Sequence, residues 1–327
     1  MKNIVKIFTL FALISLASCS QTALTNYFTP IVDIQIPPQT PKLVLIGRIL
    51  SGTDSIELFV THSRGALDTG ILNYSRFDTV TNATIKIFKD GALFSTPQYV
   101  GNGKYFQKLS KVVPFDLSTY TVQVSAPTYT SIEATQKMVS PSKIDSVGFI
   151  DKVKVTQPLN DFFDLLGDPR DASQFTLYFK DTPNQVNYYS AFGTYILPSE
   201  TQIRNLRCDS RDPASENNYL NAKNLDGKTI IWSTHSRALI GRQRGGGGPG
   251  GGHGGPGGNG TIQAGTEISI TLSSVSADRY LFEQSYSIYQ NAQNNPFAEP
   301  VILHNNIKNG FGIFTTAAET TYTFKLK

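Results

Sequence analysis

Cysteine is scarce in this sequence, because the 327 residues include only Cys19 and Cys208. Cys19 lies in a motif that predicts a covalent modification, which leaves Cys208 without a partner for an intramolecular disulfide. The fold must then be stabilised by its hydrophobic core and not by cross-links. The chain is long enough to form such a core, as one large domain or two medium ones.

Motifs for catalysis and metal binding are also missing. No G-x-S-x-G or S-x-x-K motif is placed on a strand-to-helix turn. The four histidines occur singly and never at the spacing of a standard zinc site; they are His62, His235, His253 and His304. The sequence therefore predicts a protein that is not an enzyme and needs no cofactor. A triad assembled from distant residues is the alternative, because triads are defined by geometry and not by order.

The chain has no strong excess of charge of either sign. Its formal net charge is +4, and Lys2 and Lys6 contribute two of those charges. Both lysines belong to a segment that we expect to be removed. The remaining balance is nearly neutral and gives no electrostatic basis for binding nucleic acid or an anionic membrane surface.

No apolar run is long enough to span a membrane. After Lys2 and Lys6, the chain is apolar from Ile7 to Leu16 with only Thr9 and Ser15 interrupting, whereas a transmembrane helix needs about 20 apolar residues. A basic start followed by a short apolar run is typical of a signal peptide. We predict a signal peptide at residues 1–18.

Leu16-Ala17-Ser18-Cys19 follows the apolar run and resembles the lipobox of bacterial lipoproteins. In that motif the cysteine thiol receives a diacylglycerol, and the new amino terminus is then acylated. The acyl chains would anchor the protein firmly, because each buried methylene contributes about 0.8 kcal/mol. We expect lipid on Cys19 and a polar, proline-bearing tether at residues 19–41.

Residues 42–142 alternate between apolar and polar positions, which is typical of half-buried strands. Ile56, Leu58 and Val60 share one face, as do Tyr120, Val122 and Val124. Asp90-Gly91 and the "GNGK" at 101–104 predict tight turns with positive φ. Several short strands in about 100 residues predict an immunoglobulin-like β-sandwich.

Residues 143–327 predict a second, β-rich domain with one packed helix. Phe175, Leu177 and Phe179 share a strand face. In "SADRYLFEQSYSIYQNAQ", Ser276 is a candidate N-cap, and we expect an apolar stripe to pack over the sheet; that stripe consists of Leu281, Phe282, Ser285, Ile288, Tyr289 and Ala292.

A glycine-rich run occupies residues 245–260, where twelve of the sixteen residues are glycine. Ordering such a segment costs much backbone entropy and buries almost no side chain. Neither a following helix nor a Gly-Lys-Ser/Thr ending is present, so the run is not a phosphate-binding loop. We predict a surface loop.

Two sets of residues are candidates for ligand binding. The acidic stretch "NDFFDLLGDPRDASQ" is the only calcium candidate, through Asp161, Asp164, Asp168 and Asp171, although its spacing does not match an EF-hand and a solvated loop is the simpler interpretation. The tyrosines Tyr188, Tyr189 and Tyr195 form either part of a sheet or a platform for stacking a carbohydrate.

Four motifs resemble a Bacteroidota lipoprotein family that is catalogued only as a domain of unknown function. They are "TPKLVLIGRI" at 40–49, "DSVGF" at 145–149, "DTPNQVNYY" at 181–189 and "NPFAEPVILHNNIKNGFGIFTT" at 295–316. The last, called the closing motif below, is the most specific. Its prolines and Asn309-Gly310 suggest a structural corner, and a ligand-contacting loop is the alternative.

The resemblance implies an outer-membrane lipoprotein that is an accessory to a β-barrel complex, since genes of this family often lie beside TonB-dependent receptors. The expected partners are that barrel complex and the membrane that holds the lipid. A ligand-binding lipoprotein that captures glycan, peptide or metal-chelate is the second hypothesis. We expect the anchor at the cell surface, with the periplasmic leaflet as the alternative because no acid precedes Asp33 in the tether.

Overall fold

The computed structural model describes residues 40–64, 78–155, 170–206, 208–210, 215–216, 218–236, 264–293 and 297–327. The predicted signal peptide, nearly all of the tether and the glycine-rich run lie outside these residues. The described part of Pro41–Lys327 belongs to one compact unit. It is mainly β, as the alternating patterns predict, and contains one helix.

Eighteen strands and the helix α1 make up the described part of the chain. In order, they are β1 (Leu43–Leu50), β2 (Ser55–His62), β3 (Thr84–Lys89), β4 (Ala92–Ser95), β5 (Gln98–Gly101), β6 (Lys104–Lys108), β7 (Thr119–Ser125), β8 (Ile132–Lys137), β9 (Ile144–Val155), β10 (Arg170–Lys180), β11 (Tyr188–Ile196), β12 (Arg204–Leu206), β13 (Asp209–Ser210), β14 (Ser215–Glu216), β15 (Tyr219–Asn221), β16 (Thr229–Ser236), β17 (Glu267–Val275), α1 (Ala277–Gln293) and β18 (Phe311–Lys325).

One sheet of ten strands, the long sheet, runs through the whole fold. Its order is β14-β15-β11-β17-β18-β1-β2-β6-β5, with β12 paired to β11 at the side. Two smaller sheets accompany it: the first small sheet, β4-β3-β7-β8, and the second small sheet, β13-β16-β10-β9. Neighbouring strands are antiparallel except β1 and β18, which are parallel.

The first core joins the first small sheet to β1, β2 and β6 of the long sheet. The predicted alternation is confirmed here, since Ile56, Leu58 and Val60 are buried on one face of β2. They pack in the same cluster as Tyr120 and Val122 of β7. Two sheets thus share one apolar layer, which is the basic arrangement of a sandwich.

The second core joins the second small sheet to β11, β17 and the end of β18. Phe175, Leu177 and Phe179 of β10 are buried in it, as their spacing predicts. Trp232 of β16 and Tyr189 of β11 pack in the same cluster. The predicted domain boundary at residues 142–143 separates the two cores except for Ile307 and Phe314, which belong to the first core although they follow the boundary. The division into two domains stays a prediction.

Strand β18 belongs to both cores. Its first half pairs with β1 and contributes Phe314 to the first core, whereas its second half pairs with β17 and places Tyr322 and Phe324 against the second. Gly312 makes the pairing with β1 possible, because a Cβ at this position would lie 2.0 Å from the Leu45 carbonyl oxygen. Its φ of +111° also requires glycine.

Tight turns occur where the sequence predicts them. Asp90 and Gly91 both have positive φ between β3 and β4, and Asn102 and Gly103 do so between β5 and β6. Asn309 has a φ of +64° just before β18. Glycine tolerates the left-handed region because it has no Cβ, and Asn and Asp tolerate it because their short polar side chains can form local hydrogen bonds.

The helix packs differently from our expectation. Leu281 and Ile288 of the predicted core-facing stripe are 41% and 58% exposed, and Tyr280 is the buried residue of α1. Ser276 does occupy the N-cap position, but its hydroxyl has no partner among the described residues. Polar and aromatic contacts of the first helical turns hold α1 to the sheet and leave Leu281 and Ile288 exposed. The other residues of the stripe, Phe282, Ser285, Tyr289 and Ala292, are partly buried.

No helix in the described part of the chain has both the length and the apolar character that a bilayer-spanning segment requires.

Candidate docking site on the helix

The first turns of α1 attach it to the long sheet through aromatic and polar side chains. The Tyr280 ring stacks on Tyr188 of β11 with 4.5 Å between ring centroids. Arg279 Nε donates to the hydroxyl of Tyr219 in β15 at 3.2 Å, and its guanidinium pairs with Glu283 one turn later at 2.6 Å. Burial is the largest influence on Tyr219 and raises its pKa, so this tyrosine stays neutral.

The exposed apolar residues lie on one flank of the helix. Leu281 and Ile288 are each roughly a quarter of a turn away from Tyr280, because successive helical residues are separated by about 100°. Residues 284–293 contain no acidic or basic side chain. A helix flank that exposes large apolar side chains and carries no charge is typical of a contact surface for another molecule.

The closing motif, which is bonded to α1 through His304, carries further exposed apolar residues. Phe297 is 93% exposed and Ile302 is 90% exposed, although both side chains are fully apolar. We define the helix surface as the exposed apolar residues of α1 and residues 297–303, namely Leu281, Tyr286, Ile288, Phe297 and Ile302. Such a concentration of exposed large apolar side chains on one helix and one short segment differs from isolated surface residues, which need no explanation.

A polar clamp fixes the closing motif to the start of the helix. His304 Nε2 lies 2.6 Å from Asp278 Oδ1, and Gln136 of β8 donates to Asp278 Oδ2 at 2.5 Å. Asp278 also stands in the first turn of α1, where a carboxylate interacts favourably with the helix dipole. The clamp therefore orders the helix surface by tying α1, the closing motif and the first small sheet together.

The Asp278–His304 pair is the arrangement that most resembles a catalytic one, so the position of nearby serines is decisive. Ser285 accepts a hydrogen bond from the backbone N–H of His304 at 2.9 Å and donates to the Phe282 carbonyl. Its hydroxyl therefore serves the backbone and not the imidazole. Within the described residues, no serine hydroxyl is bonded to the His304 ring, as a nucleophile would be.

The rest of the closing motif forms a structural corner, one of the two alternatives that its composition left open. Asn306 donates to the Phe314 carbonyl at 2.7 Å and accepts from the Phe314 N–H at 2.9 Å. The Asn306 side chain thus bonds both backbone groups of Phe314 as a paired strand would, at a point of β18 that lies beyond the last residue paired with β17. Asn305 similarly bonds the backbone of Ile307 and Gly310.

The three candidate tyrosines do not come together on a surface. Tyr189 and Tyr195 point into the second core and are 0% and 6% exposed. Tyr188 lies on the other face of β11, half-buried under Tyr280. The two buried rings therefore present no face to a solvent-borne ligand.

A buried hydrogen-bond network surrounds Asp181 within the "DTPNQVNYY" motif. This carboxylate is buried and accepts from the Tyr189 hydroxyl at 2.6 Å, from Asn187 Nδ2 at 3.0 Å and from the Gly227 N–H at 3.2 Å. Ser142 lies 3.0 Å from the same hydroxyl. Burial, and then the bond to Asp181, raises the pKa of Tyr189. All partners of this carboxylate are internal, so the network has a structural role.

Other candidates lie outside the described residues or remain untested. Cys19, Asp161, Asp164 and Asp168 fall outside the described residues, and the side chain of Asp171 is not described either. No group of three or more metal-ligating side chains occurs in the part of the chain that is described. Cys208 is a buried thiol near the Leu206 carbonyl.

Sequence reasoning missed Asp278, His304 and the exposed pair Phe297 and Ile302. The sequence offered one signal for Phe297 and Ile302, because Pro296 and Pro300 beside them disfavour a regular strand that would bury these apolar side chains. The pairing of Asp278 with His304 had no such signal, since the two are far apart in the chain.

Comparison with known families shows the family to which the chain belongs. Residues 29–323 match the family described as Domain of unknown function (DUF4249). The chain belongs to this family. The resemblance drawn from the four motifs is confirmed to that extent, and the match spans both cores. No curated protein matches the chain.

Proposed function

We propose that this member of the DUF4249 family is a lipid-anchored, non-enzymatic accessory subunit of an outer-membrane protein complex in Bacteroidota. The complex would be a TonB-dependent transporter or the outer-membrane assembly machinery. The observation that carries the proposal is the helix surface, which exposes large apolar side chains on a helix held rigidly by its polar turns.

The chemistry of the helix surface favours a protein partner with an apolar patch. Interface cores are depleted in charge and enriched in aromatic residues. Tyr286, Phe297 and Ile288 fit that description, and Glu299 is the acidic residue of segment 297–303. A partner embedded in the same membrane would meet this surface at high effective concentration, because a lipid anchor on Cys19 restricts the chain to that membrane.

The position of the anchor follows from the sequence features. A lipidated Cys19 followed by a tether at residues 19–41 would place the folded part close to the outer membrane, at the cell surface. The periplasmic leaflet remains the alternative. No cofactor is needed for a docking role of this kind.

We also propose that residues 42–142 form an immunoglobulin-like sandwich. Support comes from the shared core of the first small sheet with β1, β2 and β6. The remainder would form a second β-rich domain. Strand β18 complements the first sandwich, so the two halves would fold cooperatively and not as independent modules.

Comparison of variants in native membranes tests the docking role. The double variant Phe297→Ser/Ile302→Ser changes two side chains that are almost fully exposed, so the free energy of unfolding should change by no more than about 0.5 kcal/mol. Mild-detergent purification followed by mass spectrometry should recover the wild type with a stoichiometric β-barrel partner. The double variant should lose that partner.

A matched control replaces exposed apolar residues elsewhere. Leu93→Ser and Ile203→Ser alter side chains that are more than half exposed but distant in the fold from α1, and both should keep the partner. Recovery of the wild-type chain alone, or equal recovery of the partner by the double variant, would contradict the docking role.

A ligand-binding lipoprotein that captures glycan, peptide or metal-chelate is the second candidate function. A ligand present at 100 times its Kd should stabilise the protein by about 2.7 kcal/mol. Thermal melting with neutral glycans, short peptides and siderophore-like chelates therefore distinguishes the two functions, because a docking subunit alone should show no shift.

A further inference from the structure

The outer face of the first small sheet carries a polar trough. Register places Lys86 of β3 opposite Gln123 of β7, and Gln123 opposite Glu133 of β8. Glu133 in turn forms a β-bridge with Lys308, just before β18. Four polar side chains therefore stand in one row across the sheet, with a lysine at each end.

A second row deepens the trough into a cleft of about 430 Å³. Thr84 and Ser125 are opposite each other in the register of β3 and β7, and both line the cleft beside the first row. Hydroxyl groups and ammonium groups thus face the same space. This volume lies within the range of small-molecule sites.

Charge decides which ligand would fit. Lys86 and Lys308 are exposed and have no ion-pair partner among the described residues. Glu133 is held between them by a 2.8 Å bond from Gln123 Nε2. A densely charged polyanion such as nucleic acid would be repelled by Glu133. A short ligand that carries separate carboxylates on hydroxylated rings would present carboxylates to the two lysines and hydroxyls to Glu133 and Gln123.

We infer that this trough is a binding site for an acidic saccharide. Strands in a sheet are about 4.8 Å apart, so Lys86 and Lys308 stand three spacings, roughly 14 Å, apart at their backbones. Because lysine side chains are long, the two ammonium groups can come closer together than the backbones are. Each can then bind a carboxylate on a different ring of one short saccharide. Glu133 and Gln123 bind ring hydroxyls between them, and no aromatic ring lines the cleft for a neutral sugar to stack on.

The site is independent of the proposed docking role, since neither α1 nor segment 297–303 lines it. Isothermal titration of the full chain with trigalacturonic acid, maltotriose and inorganic phosphate tests the inference. Trigalacturonic acid should bind, and its affinity should fall as salt rises, because both lysines are exposed. Maltotriose and phosphate should bind at least about tenfold more weakly.

Variants locate the binding. Lys86→Gln/Lys308→Gln should raise the Kd for trigalacturonic acid by about tenfold. Lys137→Gln is the matched control, because Lys137 is an exposed lysine on β8, the strand that carries Glu133, yet it does not line the cleft. Binding that is absent, unchanged in the double variant or equal for maltotriose would overturn the inference, and binding of phosphate alone would reduce the trough to a simple anion site.

Discussion

Each core of this protein contains a fully buried tyrosine, and the two have opposite surroundings. Tyr120 in the first core has a hydroxyl without a hydrogen-bond partner among the described residues. Tyr189 in the second core donates to Asp181 and lies beside Ser142. The surroundings of Tyr120 are thus stabilised by apolar packing, whereas those of Tyr189 also depend on a buried polar network.

This difference predicts which substitutions lower the free energy of unfolding in each core. An apolar core tolerates the loss of a polar atom, but a polar network does not, because each remaining donor then stays buried and unpaired. Strand β18 spans both regions, so a change in it should affect both cores together.

The largest effect is expected for Gly312→Ala, which breaks the link between the regions. The new Cβ would lie 2.0 Å from the Leu45 carbonyl oxygen, at a φ that L residues rarely adopt. We expect a loss of about 4 kcal/mol or more in the free energy of unfolding, measured by urea denaturation. Gly148→Ala is the control, because its Cβ would meet nothing closer than 3.7 Å; equal stability of both variants would contradict the role of Gly312.

Asp181→Ala should have the next largest effect, confined to the second core. It leaves the Tyr189 hydroxyl, the Asn187 amide and the Gly227 N–H without their acceptor. The expected loss is about 3 kcal/mol in urea denaturation. The exposed Asp145→Ala should change stability by less than about 0.5 kcal/mol. A similar small change for Asp181→Ala would mean that the network does not stabilise the fold.

Tyr189→Phe should have a smaller effect, a loss of about 1–2 kcal/mol, because it removes one hydroxyl from the network and leaves Asp181 its other two donors. In the double variant Asp181→Ala/Tyr189→Phe the losses should not add, since both changes break the same bond. Strict additivity in a double-mutant cycle would show that the two residues act separately.

Tyr120→Phe should have the smallest effect at neutral pH, between neutral and slightly stabilising, because it removes a buried hydroxyl that has no partner. Burial raises the pKa of Tyr120 to about 12 from its ordinary value of 10.0. The stability that the neutral phenol provides is therefore complete below pH 10 and is lost as the pH rises from 10 to 12.

The Tyr120→Phe variant lacks that titration. Its advantage over the wild type should widen by about 2 kcal/mol between pH 9 and pH 12, as measured by urea denaturation at each pH. A constant difference across this range would show that Tyr120 titrates in the folded protein as it does in the unfolded chain.

The strands could be predicted from the sequence because their information is local. The alternation of apolar and polar residues predicted the buried face formed by Ile56, Leu58 and Val60. The residue pair Asp90-Gly91 predicted a turn with positive φ. The contribution of Phe314 to the first core could not be predicted, because the parallel pairing of β1 with β18 joins opposite ends of the folded chain. Contacts between residues so far apart in the chain produce no periodic pattern in the sequence.

The orientation of the helix at the candidate site also could not be predicted from a local sequence pattern. Its amphipathic pattern predicted an apolar stripe, and the stripe exists, but periodicity does not say what the stripe contacts. The stacking of Tyr280 on Tyr188 and the bond from Arg279 to Tyr219 determine the orientation. These contacts involve aromatic and charged residues that the pattern assigns to the outside.

Hydrogen exchange of the helix surface in native membranes tests the docking role most directly. If α1 and residues 297–303 contact a partner, their backbone amides should exchange more slowly in isolated outer membranes than in the purified chain, while β3 and β4 should not change. Equal exchange of α1 and residues 297–303 in both samples would contradict the proposal that this surface is where the protein docks.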